Sequence, residues 1–141
     1  MRLTFEKILA LKSMPLFENV NQNVLTDVIS KAEETLVAAG DDFIKSGENV
    51  SALYIVSQGL VRVHKGGKTI AELGPNRYWG LLFAFDPSPT QFTFTAAEDT
   101  LLFKLGGDAL YEVLVDHKEV AQNLIMTMCR RVKEKDSGTF S

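Results

Sequence analysis

The stretch that decides the fold runs from residue 43 to residue 85: FIKSGE (43–48), LYIVSQGLVRV (53–63), LGPNRYWG (73–80) and the apolar run LLFAF (81–85). Short runs of β-branched and aromatic residues alternate with glycine, at the spacing of an all-β barrel or sandwich. The pattern extends on both sides and predicts strands over Glu34–Ala38, Asp42–Ile44, Ala52–Gln58, Leu60–Lys65, Lys68–Leu73, Gln91–Ala96 and Thr100–Leu105. Lys65-Gly66-Gly67-Lys68 reads as a two-residue hairpin, because Gly-Gly supplies the positive backbone angles such turns need. Gly47, Gly59 and Gly74 stand where the chain must turn between strands, and glycine tolerates the left-handed angles of tight corners.

Outside this zone, from about 34 to 105, the period becomes helical. Phe5, Ile8, Leu9 and Lys12 are spaced for one helix face, and Ser13-Met14-Pro15 ends that helix because a residue before proline avoids the helical region. Leu16-Phe17 begins a short connection. A second helix is expected from Asn21 to Ala32, with Val24, Leu25, Val28 and Ile29 on one side. After the strands, Gly107-Asp108 offers an N-cap for a helix over Ala109–Val115, and a longer helix follows over Lys118–Lys135. The tail from Asp136 to Ser141 is polar and expected to fray. With neither an internal repeat nor a linker, residues 1–141 read as one domain: N-terminal helices over about 4–32, the β zone, and C-terminal helices over about 108–135.

Composition narrows the function. Of 141 residues, 45% are hydrophobic and 23% charged, the profile of a globular domain with a core of its own. Fifteen basic against eighteen acidic residues leave a net charge of -3, which argues against nucleic-acid binding. The single Cys129 forms no internal disulfide and fits a reducing compartment. Charges at Arg2, Glu6 and Lys7 break any signal-peptide core, and no apolar run approaches the roughly 20 residues of a spanning helix. The expected location is therefore cytoplasmic, without direct membrane insertion. No catalytic motif is present, so no enzyme activity is expected. His64 and His117 lack partners at metal-ligand spacing and read as ordinary strand or surface histidines, with no metal site. Arg62 and Lys104, on alternating strand positions, read as solvent-facing charges.

The glycine skeleton Gly47, Gly59, Gly74 and Gly80, with the order helix, β zone, helix, resembles the cyclic-nucleotide-binding domain family over about Leu11 to Lys135. That family includes catabolite-activator-type regulators, kinase regulatory subunits and gated channels. The resemblance implies a mainly β fold with flanking helices, an eight-stranded β-roll (a jelly roll). It also implies a phosphate-binding cassette opening at Gly80, where a short helix presents free N–H groups to the cyclic phosphate. In the family a glutamate after that glycine takes the ribose hydroxyl, and an arginine about ten residues later pairs with the phosphate.

This chain has Leu81 in the first place and Thr90, followed by Gln91, in the second. Leucine has no acceptor and threonine no charge. Losing the charge-assisted pair costs several kcal/mol, on the order of 10²- to 10⁴-fold in affinity. Tight binding of cyclic AMP or cyclic GMP is therefore disfavoured, and no other cofactor is implied. Trp79, Leu81, Leu82, Phe83 and Phe85, with Phe92 and Phe94, make the cassette apolar. Two readings follow, a pocket filled by its own side chains and a pocket for an apolar ligand. Should a ligand bind, its contacts would be Trp79, Gly80, Leu81, Leu82, Phe83, Thr90 and Gln91, with Arg77 as an auxiliary anion contact.

On the last helix Val120, Leu124, Met128 and Val132 form a stripe. In the family this helix is a lid over the ligand or a dimer interface, which implies a homodimer or contact with a partner or other domains of a larger protein. Catabolite-activator relatives continue into a DNA reader after this helix. Here the sequence stops about ten residues later, so DNA binding is not expected of it. The expected function is a non-catalytic regulatory or interaction module, the alternative a sensor for a weakly held cyclic nucleotide or an apolar ligand.

Overall fold

Two strands in the middle of the fold are apolar on both sides, and this arranges everything else. In the computed structural model, which describes residues 2–136 and the side chains of 5–135, β4 (Ala52–Gln58) and β10 (Thr100–Gly106) pair antiparallel, Phe103 opposite Ile55 and Leu102 opposite Val56. Leu53, Ile55, Leu101, Phe103 and Leu105 enter one hydrophobic cluster, and Val56 and Leu102 enter another. Alternation along a strand sends successive side chains to opposite faces, so this pair is a wall between two cores. The last five residues of the tail lie outside the described residues.

The wall belongs to a sheet ordered β1 (Glu33–Val37), β10, β4, β7 (Tyr78–Trp79). A second sheet, ordered β2 (Asp42–Ile44), β9 (Thr93–Ala96), β5 (Val61–Lys65), β6 (Lys68–Leu73), closes the roll. Between the sheets lie Val37, Ile44, Val50, Val56, Val61, Val63 and Phe94. The β5–β6 hairpin turns on Gly66 and Gly67, both with positive φ, with Lys65 opposite Lys68. A two-stranded ribbon of β3 (Asn49–Val50) and β8 (Ser88–Pro89) completes the strands.

On the outer face of the wall sits a helical layer built from both ends of the chain. It holds α1 (Arg2–Lys12), a 3₁₀ turn over Pro15–Phe17 and α2 (Gln22–Lys31), then α4 (Gly107–Asp116) and α5 (Lys118–Asp136). A short α3 (Leu81–Phe85) lies at the rim of the roll. Asn21 caps α2, its side chain accepting from the Val24 N–H at 3.2 Å. Asn123 on α5 donates to the carbonyls of Leu16 (3.1 Å) and Glu18 (2.9 Å), fixing α5 to the 3₁₀ turn.

The fold is the expected mainly β roll with helices at both ends, with corrections in detail. Seven of the ten strands among the described residues are those read from the sequence, and β3, β7 and β8 are two-residue segments in stretches read as loops. β9 begins at Thr93, two residues later than expected, because Gln91 and Phe92 belong to a turn held by Thr90. Pro15–Phe17 is helical rather than a plain connection. The face read on α1 is only partly used: Ile8 packs against the helical core, Phe5 and Leu9 are exposed, and Ala10 and Leu11 with Met14 are buried. The cap of α4 is Gly106, not Gly107-Asp108, and Asp108 acts as a first-turn acid beside the helix dipole. At the 74–77 turn the positive φ falls on Asn76, behind Pro75, rather than on Gly74.

Candidate functional site

Gly80 sets the rim of the roll. Its φ is +92°, and a Cβ there would run into the Ala52 carbonyl oxygen of β4. Gly80 therefore brings the start of α3 against the wall, and the Ala84 N–H donates to the Gly80 carbonyl at 2.9 Å. At the other side, a Cβ on Gly107 would meet the Ala84 carbonyl oxygen, so α3 also lies tight against the start of α4.

With its phase fixed, α3 distributes its side chains. Leu81 and Ala84 turn outward into the helical core, each 3% exposed. Leu82 is exposed, Phe83 is half-buried against the roll's inner cluster, and Phe85 meets Tyr111 of α4 edge-on at 5.2 Å. The position where the family would place a glutamate thus points away from the roll.

Thr90 is buried and tied on each polar side. Its N–H donates to the Glu48 carbonyl (2.9 Å), its carbonyl accepts from the Gly47 N–H (2.8 Å), and its hydroxyl oxygen accepts from the Phe92 N–H (3.2 Å). The β3–β8 ribbon staples the same loop to residues 49–50. Gln91 is exposed; its side-chain oxygen accepts from Lys65 Nζ at 3.2 Å. Arg77 is exposed in the turn before β7, its carbonyl accepting from the Val56 N–H at 2.9 Å.

The interior is aromatic. Trp79 stacks between Tyr54 (centroids 4.9 Å apart, planes 10° apart) and Phe94 (5.0 Å, 15°), and Phe43 leans on it at 6.1 Å and 57°. These rings come from β4, β7, β9 and β2, hence from both sheets. Trp79 Nε1 is buried without a hydrogen-bond partner among the described residues. Burial, reinforced by the nearby Glu48 and Glu33 carboxylates, raises the Tyr54 phenol above its ordinary pKa. Lys104 Nζ lies 5.9 Å from the Tyr54 ring centroid. Clefts lie outside this aromatic interior. One of about 620 Å³ is lined by Lys31, Phe85, Lys104, Gly107 and Tyr111 among others, and one of about 400 Å³ by Leu36, Gln58, Asp99 and Leu101 among others.

On α5, Val120 is fully buried, Leu124 and Met128 pack against the helical core, and Val132 is exposed. The stripe thus faces the domain through three of its four residues. Ile125, Met126 and Cys129 join Val132 on the outward side. Both histidines have partners that spacing does not reveal. His64 Nε2 lies 2.7 Å from Thr95 Oγ1, which donates to Asp42. His117 Nε2 lies 2.7 Å from Asp27 Oδ2, and Lys31 holds the other carboxylate oxygen at 2.7 Å. Among the described residues no cluster of three His, Cys, Asp or Glu suits a metal ion, and no helix is long and apolar enough to cross a membrane.

Known proteins place this geometry. The profile of the cyclic nucleotide-binding domain matches residues 34–117. The chain belongs to that family. A cyclic AMP receptor protein of Thermus thermophilus is 30% identical over 131 residues, covering 89% of this chain and 61% of that protein. A cAMP-dependent protein kinase regulatory subunit of Eremothecium gossypii is 32% identical over 90 residues, covering 64% of this chain and 20% of the subunit. The N-terminal domain of a transcriptional regulator from Streptomyces coelicolor superposes with a TM-score of 0.84 at 28% identity, covering 94% of this chain and 98% of that one. The Thermus thermophilus catabolite activator protein superposes with a TM-score of 0.76 at 29% identity, over 89% of this chain and 61% of that one. This cyclic nucleotide-binding domain therefore spans less than two thirds of the length of these curated relatives, which carry further sequence around it.

Proposed function

We propose that this chain is a non-catalytic regulatory or interaction module of the cyclic nucleotide-binding type whose roll does not hold cyclic AMP or cyclic GMP tightly. The observation that carries the reading is the pair of positions 81 and 90. Leu81 is buried in the outer core, away from the roll. Thr90 spends its backbone groups and its hydroxyl oxygen on Glu48, Gly47 and Phe92. Neither offers a charge, and a phosphate in a partly desolvated site without a cation loses several kcal/mol. Isothermal titration with cyclic AMP and cyclic GMP tests this. The expected result is no dissociation constant tighter than about 10 μM, and a clear isotherm below that value overturns the reading.

Output goes through α5 to another domain, a protein partner or a second copy. The support is the outward strip of Ile125, Met126, Cys129 and Val132 on a helix already fixed to the domain by Asn123. Light scattering distinguishes the forms. A two-chain mass that falls to one chain in Ile125→Glu assigns the strip to self-pairing, and a one-chain mass in both assigns it to a different partner.

A further inference from the structure

We propose that Trp79 is the built-in occupant of the roll and the residue that decides what the interior admits. Its indole holds the slot in which a flat, neutral heterocycle would otherwise stack. The inference deepens the reading above and rests on it. Tyr54 and Phe94 stand on either side of Trp79 with planes only 10° and 15° from its own. Aromatic pairs in a core take tilted as well as stacked arrangements. A near-parallel sandwich on both faces is how proteins grip a planar ring system such as a base. Phe43, tilted at 57°, closes one side of the slot.

The slot's walls are independent of what fills it. Tyr54 belongs to β4 in one sheet and Phe94 to β9 in the other, so neither moves merely because residue 79 changes. The backbone at 79 is equally fixed, paired with Tyr54 on one side and followed by Gly80 against the Ala52 carbonyl. A buried indole N–H normally finds an acceptor, and this one has none among the described residues. Trp79 is thus held here by shape and stacking rather than by its polar atom. Trp79, Tyr54 and Phe43 are each half-buried, so truncating the indole leaves an aromatic-walled slot open at its edge, which a flat apolar molecule can enter and fill.

The test uses Trp79→Ala with indole itself as the probe. Trp79 is the chain's single tryptophan, so the variant is spectrally silent and added indole is read directly. Indole at ten times its Kd should raise the melting temperature of Trp79→Ala by about 5 °C and leave the wild type and Trp79→Phe unmoved. A folded Trp79→Ala that does not respond, or a wild type that responds equally, overturns the inference. Should Trp79→Ala fail to fold, acrylamide quenching of the wild type decides. Blue-shifted emission that acrylamide barely quenches supports a seated occupant, and quenching like that of free tryptophan refutes it. Cyclic AMP added to the wild type addresses the proposed function separately, since tight nucleotide binding overturns that reading whatever indole does.

Discussion

Gly80 and Gly47 have almost the same positive φ, +92° and +95°, in different surroundings. A Cβ on Gly47 meets nothing within 4 Å, and a Cβ on Gly80 lands on the backbone carbonyl of Ala52. Gly47→Ala therefore carries only the conformational cost of holding a left-handed residue, about 1–2 kcal/mol. Gly80→Ala carries the same cost and must also push α3 off β4. The obstacle is backbone in a paired strand, which cannot rotate away like a side chain, so overpacking adds about 1–3 kcal/mol more. The totals are about 1–2 kcal/mol for position 47 and about 2–5 kcal/mol for position 80. At roughly 3–4 °C per kcal/mol for a domain of this size, the melting temperature should fall by about 5 °C and about 12 °C respectively. Urea denaturation followed by circular dichroism, with unchanged m-values, gives the free energies directly. Equal losses at the two positions would refute the reasoning, because α3 would then not be held against the wall by the absence of a Cβ.

Neighbouring leucines on α3 should behave oppositely. Leu81→Ala should cost about 2–4 kcal/mol in chemical denaturation, because Leu81 is 3% exposed, and Leu82→Ala, 53% exposed, should stay within about 0.5 kcal/mol. The Asp27 carboxyl is held below its ordinary pKa of 3.8, first by the hydrogen bond from Lys31 and then by that with His117. A carboxylate so depressed contributes stability that is full above the unfolded value and is lost as pH falls through the folded one. The stability difference between wild type and Asp27→Asn should accordingly shrink as pH falls below about 4; a difference that grows over that range would contradict the pairing. Asn123→Ala leaves the Leu16 and Glu18 carbonyls without this donor and should cost about 1–2 kcal/mol in urea, with hydrogen exchange of α5 rising more than that of β4.

How far the sequence speaks depends on how many residues carry each signal. Ala52–Gln58 and Lys68–Leu73 are long enough for composition and glycine punctuation to mark them, and their ends stand as read. Two-residue strands such as Tyr78–Trp79 have no period to read and exist only because β4 is there to pair with. On α1, apolar residues at 5, 8, 9, 10 and 11 surround the helix, so no single face is implied, and contact with the sheet chooses Ala10 and Leu11. The expectation that Leu81 and Thr90 replace the family's two charged residues comes from spacing within the resemblance, whereas the direction of Leu81 has no sequence signal, since the phase of a five-residue helix follows from how Gly80 meets Ala52. One consequence is practical: Leu81→Glu would place a carboxylate in the outer core rather than in the roll. The Trp79 stack draws on four strands, and Asp27 and His117 lie 90 residues apart, distances over which no local pattern reaches.

The helical layer made from both ends of the chain has a consequence for the order of assembly. Its fastenings, Asn123 to Leu16 and His117 to Asp27, close loops of 107 and 90 residues. Closing loops of that length in a disordered chain costs entropy before any contact repays it. Once the strands have paired, most of the intervening chain is already shortened, and the same fastenings close almost without loss. The roll is therefore the template and the helices the last pieces to dock. During synthesis α1 and α2 emerge before the strands and α4 and α5 after them, so the first pair must wait for the second before their shared core is sealed.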